Sequence, residues 1–503
     1  MRVILDGVFN HTSSDSPWFD RYRRFEGIGA CEDVESPYRS WYYMNTRRGP
    51  CAGPAGPDTA GYLSWAGFDS LPVLLKNQPD LVEYFLSGPD SITRRWLAAG
   101  ADGWRMDVSN DPSFPRAYWP TFRDAVRATN PDALTISETW QKDTALLRNI
   151  RGDRFDTTMN YRLRDAVLGL LAPQPFDAKG FADSGQPLSP SRFAARLLSV
   201  VEDYPPAALF SLMNLLGTHD TERALWTLTP GPETRAGREL DPGNLAEGKR
   251  RLRLAALIQF AVPGMPTIYY GDEVGLTGDD DPDDRRTYPW ADLGGEPDLE
   301  LLADYSRLAS VRRDPSNGAL VEGDLRVPLV NDQEGTLVLA RRSASQAVLV
   351  PINASAAART LVIPMAGLAP DGTGFSDALG EGTFRVDAGV LEVELPPMSG
   401  LLLISDASAD LAAPEAPTEL RVAGTAEGSV ELAWRPSGDG LYNVYRSPVA
   451  GGGWVRLSEQ PVAEPRFRDR PPDGERTYHY AVSALDQAGN ESSHSNEVAS
   501  AER

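Results

Sequence analysis

Histidine and cysteine are scarce in this chain, and basic residues are outnumbered. Among 503 residues there are 4 histidines and 2 cysteines, and 49 Lys and Arg stand against 71 Asp and Glu, a formal net charge of −22. A surface this acidic repels a phosphate backbone, which excludes nucleic acid as a partner. No uncharged apolar run approaches the roughly 20 residues needed to cross a bilayer, and residues 1–5 are too short and wrongly patterned for a signal peptide. A Gly-x-Gly-x-x-Gly turn after a strand is also lacking, which argues against dinucleotide binding.

The length predicts two to four domains. Cys31 and Cys51 bracket one Gly- and Pro-rich stretch, a placement that suggests a bridge across a loop, worth roughly 2 to 4 kcal/mol and pointing to an oxidising compartment. Two unpaired thiols are the alternative. Residues 2–8 read as a fully buried parallel strand, followed by a loop region to about Pro72 and by helical periodicity from Asp80 to Ala99. Buried strands are expected at 101–108, 133–139, 154–159, 211–217 and 265–271, with helices between them, for example 118–129 and 244–262. Such alternation predicts an α/β fold with a parallel sheet, doubly wound or closed into an eight-fold barrel.

After about Arg313 the pattern changes to short alternating runs (GTLVLARR, QAVLVPIN, GVLEVELPP), the signature of an antiparallel β-sandwich over 314–406. An Ala-, Pro- and acid-rich linker spans 407–416. The last block, 417–503, resembles a fibronectin type III module, with Trp434 as core tryptophan and Tyr478 and Tyr480 on a later strand.

Four segments at predicted strand ends carry polar residues that a buried strand does not tolerate without a reason. They are DGVFNH (Asp6 to His11), GADGWRMDVSN with Arg105 and Asp107, TISETW with Glu138, and LLGTHDTER with His219 and Asp220. Arg105 and Asp107 are two apart, so both leave the strand on one face. Two of the four histidines fall within these segments. Singly, each segment reads as a helix cap or an ion pair; together and in order, they do not.

In order, content and spacing these segments resemble the sequence regions of glycoside hydrolase family 13, the α-amylase superfamily. The likeness extends through FDSLPV and through GDEVG with DDPDDRRTYPW, is nearest to the amylopullulanase and neopullulanase branch, and covers residues 1–405. It implies a (β/α)8 barrel over 1–313 with a loop domain at about 12–72, and a retaining hydrolase cleaving α-1,4 or α-1,6 glucosidic bonds. Asp107 then corresponds to the nucleophile, Glu138 to the acid/base and Asp220 to the third carboxylate, the first two roughly 5 to 5.5 Å apart. A relatively apolar setting beside Trp140 and near other carboxylates is expected to keep Glu138 protonated. The resemblance makes His11, Arg105, His219, Trp65, Asp281 and Arg285 substrate-binding, with Tyr62 and Tyr43 further stacking candidates, and sets Asp6 and Asn10 behind them.

The chemistry needs no cofactor. A structural calcium ion would use Asn10, but Asn110 and Asp111 stand where many α-amylases carry the Lys-His that helps hold it. DGVFNH ends the third barrel strand in the family yet begins here at residue 6, so the reading expects a barrel lacking its first two β/α units, with a signal peptide in the missing part and an extracellular location. The expected partner is an α-glucan, with the fibronectin-like module as a surface or matrix tether. A transglycosylase on the same substrates and a non-catalytic carbohydrate-binding fragment are the competing readings.

Overall fold

The computed structural model describes all residues except 45–50, 52–60, 141, 143, 180–183, 407–411, 427, 438–439, 459–460, 474–475, 487–489 and 501–503. Parts of the expected loop domain and half of the expected linker thus lie outside the described residues.

Six short parallel strands come first. Ile4–Gly7 (β1), Gly103–Met106 (β2), Leu134–Ser137 (β3) and Thr157–Thr158 (β4) pair in chain order. A parallel bridge from Met159 to Met213 leads on to Met213–Leu215 (β5), which pairs with Met265–Thr267 (β6). Helices Tyr118–Thr129, Tyr161–Leu171, Pro190–Asp203 and Pro242–Ala261 fill the connections. The last begins at Asp241, whose carboxylate accepts the Asn244 N–H at 2.9 Å, with Pro242 at its first position, both favourable at a helix N-terminus.

Two expectations need correction. The segment expected as one helix from Asp80 to Ala99 is broken into Pro79–Val82, a π-helical turn Glu83–Ser87 and Ile92–Ala98. Gly88 and Pro89 explain the break: proline cannot donate to the helical ladder and disfavours helix in the residue before it. Nor is β1 fully buried. It pairs on one side only, with β2, and Val3, Ile4 and Val8 are exposed. At the other end Ile268 and Tyr270, just after β6, are exposed as well. Among the described residues the arc is open, with an apolar edge on each side.

The chain then changes layer. A seven-stranded antiparallel sheet is centred on Thr336–Arg342 (β7) and Ala347–Asn353 (β8), each buried at every position. It faces the ribbon Arg359–Pro364 with Val390–Leu395. Its other face shares one hydrophobic core with the Pro242–Ala261 helix, through Leu254, Leu257, Leu339 and Val350. A final pair of sheets follows, three-stranded around Ser429–Arg435 and four-stranded around Leu441–Ser447 and His479–Leu485. Trp434, Tyr442, Tyr478 and Tyr480 form the core between them. Among the described residues no helix is long and apolar enough to cross a membrane. Cys31 and Cys51 are joined in a disulfide.

Candidate active site

Parallel pairing in register puts Asp6 of β1 beside Arg105 of β2. Arg105 is 7% exposed and holds three carboxylates at once. Its Nη1 donates to Asp6 Oδ1 at 2.8 Å and to Asp107 Oδ1 at 2.9 Å. Its Nη2 lies 3.0 Å from Glu138 Oε2, and Nε donates to the Met159 sulfur. Asp107 and Glu138, 31 residues apart in sequence, are thereby gathered on adjacent nitrogens of one guanidinium.

The surroundings of Glu138 differ from the apolar pocket the sequence suggested. Trp140 turns its indole N–H to Oε1 at 2.9 Å, and the Val108 N–H donates to Oε2 at 2.7 Å. Val108 sits at φ 47°, a left-handed conformation that is unusual for a β-branched residue, immediately after Asp107. The strain aims that amide at the carboxylate. Ser109 adds a bond from its hydroxyl to the Glu138 carbonyl oxygen at 2.9 Å.

Burial, then repulsion from Glu138, pushes Asp107 up to about 7, with Arg105 pulling the other way. Asp220, half-buried at the end of the turn after β5, completes the cluster. Burial raises it, His219 at 3.3 Å lowers it, and Glu138 acts on it in the raising sense. Arg285 reaches Asp220 at 3.7 Å while its Nε binds Asp281 at 2.8 Å, which ties the outer pair to the centre.

His11 is buried, stacked on Trp65 at 5.2 Å and bonded to Asn10 through Nδ1. Burial and then the Lys76 charge lower it to about 4, so it is neutral at pH 7. Trp65 thus spends one face on His11. Tyr62 is fully buried and gives its hydroxyl to the Asp69 carbonyl, so it packs the loop domain and offers no face to a sugar. Tyr43 is partly exposed.

Sequence reasoning missed two residues. Tyr161 stacks on Trp140 at 3.7 Å and donates to Thr218 Oγ1, which places it between the Glu138 and Asp220 turns. The polar pair Asn160–Tyr161, separated by one residue from the end of β4, was the available signal, of the same kind as the other four segments. Lys76 is 1% exposed, with its ammonium on Ser113 Oγ and 4.7 Å from the centre of the Phe114 ring. It left no sequence signal.

Lys76 also bears on calcium. Asn10 offers a buried carbonyl oxygen without a partner. However, the Lys76 cation acts on both His11 and Asp111, and no group of three or more His, Cys, Asp or Glu suited to a metal exists among the described residues.

Residues 1–293 match the family described as the alpha amylase catalytic domain. An amylopullulanase of Thermoanaerobacterium saccharolyticum is 34% identical over 98% of this chain, and neopullulanase 2 of Thermoactinomyces vulgaris is 30% identical over 80%. The chain spans 38% and 60% of the length of these two relatives, respectively. The solved debranching enzyme of Nostoc punctiforme superposes with a TM-score of 0.62 at 27% identity, covering 80% of this chain and 75% of that one. With carboxylates gathered at the ends of successive parallel strands and this match over more than half its length, the chain belongs to the alpha-amylase catalytic-domain family.

Proposed function

We propose that the chain is the catalytic part of a retaining α-glucan hydrolase acting on α-1,4 or α-1,6 glucosidic bonds. The observation that carries this reading is Arg105, which holds Asp107 and Glu138 on one guanidinium. A retaining double displacement needs two carboxyl groups facing the same anomeric carbon, one as nucleophile and one as acid, and Arg105 holds such a pair together. Asp107, fixed by Arg105 Nη1, attacks the anomeric carbon and forms the glycosyl-enzyme. Glu138 protonates the departing glycosidic oxygen and then takes a proton from the incoming water. Asp220 and His219 bind hydroxyls of the sugar, and Asp281 with Arg285 binds the glucose beyond it.

The relatives' names support starch, pullulan or maltodextrin as substrates. Pullulan incubated with the protein is expected to release reducing ends of α configuration first, and Glu138→Gln is expected to abolish release while sparing binding. A Glu138→Gln protein with near-normal turnover overturns the assignment.

Three finer readings belong to this proposal. The apolar edges at β1 and β6 support a barrel completed by two further β/α units, since an open barrel exposes unpaired backbone and half its interior. In-frame code for such units upstream of Met1 supports this, and a stop codon close upstream overturns it. The disulfide supports an extracellular location. The paired sheets packed on Trp434 support a fibronectin type III module serving as tether.

A further inference from the structure

Behind the strand end that carries Asp107, a cleft of about 600 Å³ opens between the loop leaving β2 and the segment 148–154. None of Asp107, Glu138 and Asp220 lines it. Four arginines do, Arg116, Arg148, Arg151 and Arg154, with Asn149 and Ser109 beside them. Arg154 is 8% exposed and Asn149 1% exposed.

The donors in this cleft are not used up by the protein. Arg154 reaches only neutral partners, Asn149 Oδ1 and the Arg116 carbonyl, both at 3.4 Å. Its Nε and the Asn149 Nδ2 are buried without any partner. Leaving a buried donor unmatched is unfavourable, and more so on a charged group. Two acids, Asp111 and Asp153, also line the cleft. Asp111 is bound by the Ser113 N–H and hydroxyl. Among the described residues, none of the four arginines forms an ion pair with either acid. Burial lowers the Arg154 guanidinium; Asp153 opposes this, and the Arg148 and Arg116 charges add to it. In a chain of net charge −22, cations gathered against their own repulsion call for a counter-charge.

We propose that this cleft binds a phosphate group, free or esterified to a sugar. Four arginines less two aspartates leave a local charge of +2, and a phosphate monoester carries about −1.5 to −2 at pH 7. Guanidinium forks match phosphate oxygens in pairs, and the volume admits a group as large as a monosaccharide phosphate.

The test is calorimetric titration of the full chain with inorganic phosphate and with glucose 6-phosphate, at constant ionic strength. Saturable binding to one site is expected. It should weaken by at least about tenfold in the double variant Arg148→Gln/Arg151→Gln, both exposed positions whose replacement leaves the core intact, and stay unchanged in Asp107→Asn. Tighter binding of glucose 6-phosphate identifies an esterified ligand, and tighter inorganic phosphate a free one. No saturable binding of either, or equal affinity in the double variant, overturns the proposal.

Discussion

Two buried arginines, one at the end of β2 and one on β7, show how differently the same side chain is used. Arg105 is surrounded by carboxylates. Burial alone would lower it, but Glu138, Asp6 and Asp107 together raise it above its usual value. Arg341 is fully buried among backbone carbonyls, those of Gly323 and Ala261 at 3.0 and 2.7 Å. Burial, then the charge of Arg312, lowers it to about 9. Arg312 itself donates to the carbonyl of Phe260. The two cations thus satisfy the carboxyl end of the Pro242–Ala261 helix, where partial negative charge collects. Carboxylates around an arginine concentrate opposing charges that can act on a ligand, whereas carbonyls around it make a joint between two layers.

This contrast can be broken by mutation. The largest effect is expected at the carboxylates: Glu138→Gln should lower turnover by about 10³-fold and leave the melting temperature nearly unchanged, as steady-state assays and calorimetry will check. At the joint the reverse should hold. Arg341→Met leaves carbonyls buried without donors and should cost roughly 3 kcal/mol of stability in denaturant titration, with turnover of the folded fraction unaltered. If Arg341→Met slowed catalysis as much as Glu138→Gln, the distinction would fail.

The next effects depend on pH. Because burial and Glu138 push Asp107 up to about 7, and a carboxylate nucleophile acts only when ionised, kcat/KM should rise as pH rises toward that value. Stability has the opposite sign. A carboxyl raised from 3.8 to about 7 in the folded state contributes stability that is full below its unfolded value and is lost as pH rises through the folded one. Asp107→Asn should therefore melt higher than the parent protein at pH 8 and show little gain at pH 4; equal gains at both would refute the linkage. The smallest effect is at Val108. Replacing it with glycine relieves the left-handed backbone by about 1 kcal/mol, offset by the lost side chain, and should act mainly on kcat, since the amide facing Glu138 becomes free to turn away.

Much of the site was legible because parallel strands end at one side of a sheet. Once strands are placed by their apolar runs, the polar residues that terminate them must converge, and Asp6, Arg105, Asp107, Glu138 and Asp220 do so. Spacing by two gave Arg105 and Asp107 a common face. Tyr62 misled because an aromatic in a loop reads the same whether it packs inward or faces a ligand. The helix expected from Asp80 to Ala99 failed at Gly88–Pro89, where periodicity outweighed a breaker.

The sequence alone determined the order of layers and the identity of the carboxylates, because periodicity and residue type are local properties that survive without coordinates. Only the tertiary structure decided which charges meet: that one guanidinium serves three acids, that a lysine lies buried beside His11, and that four arginines face one cleft. Electrostatic environment depends on distances between residues far apart in the chain and on how much water is excluded between them, and neither is written in the local pattern.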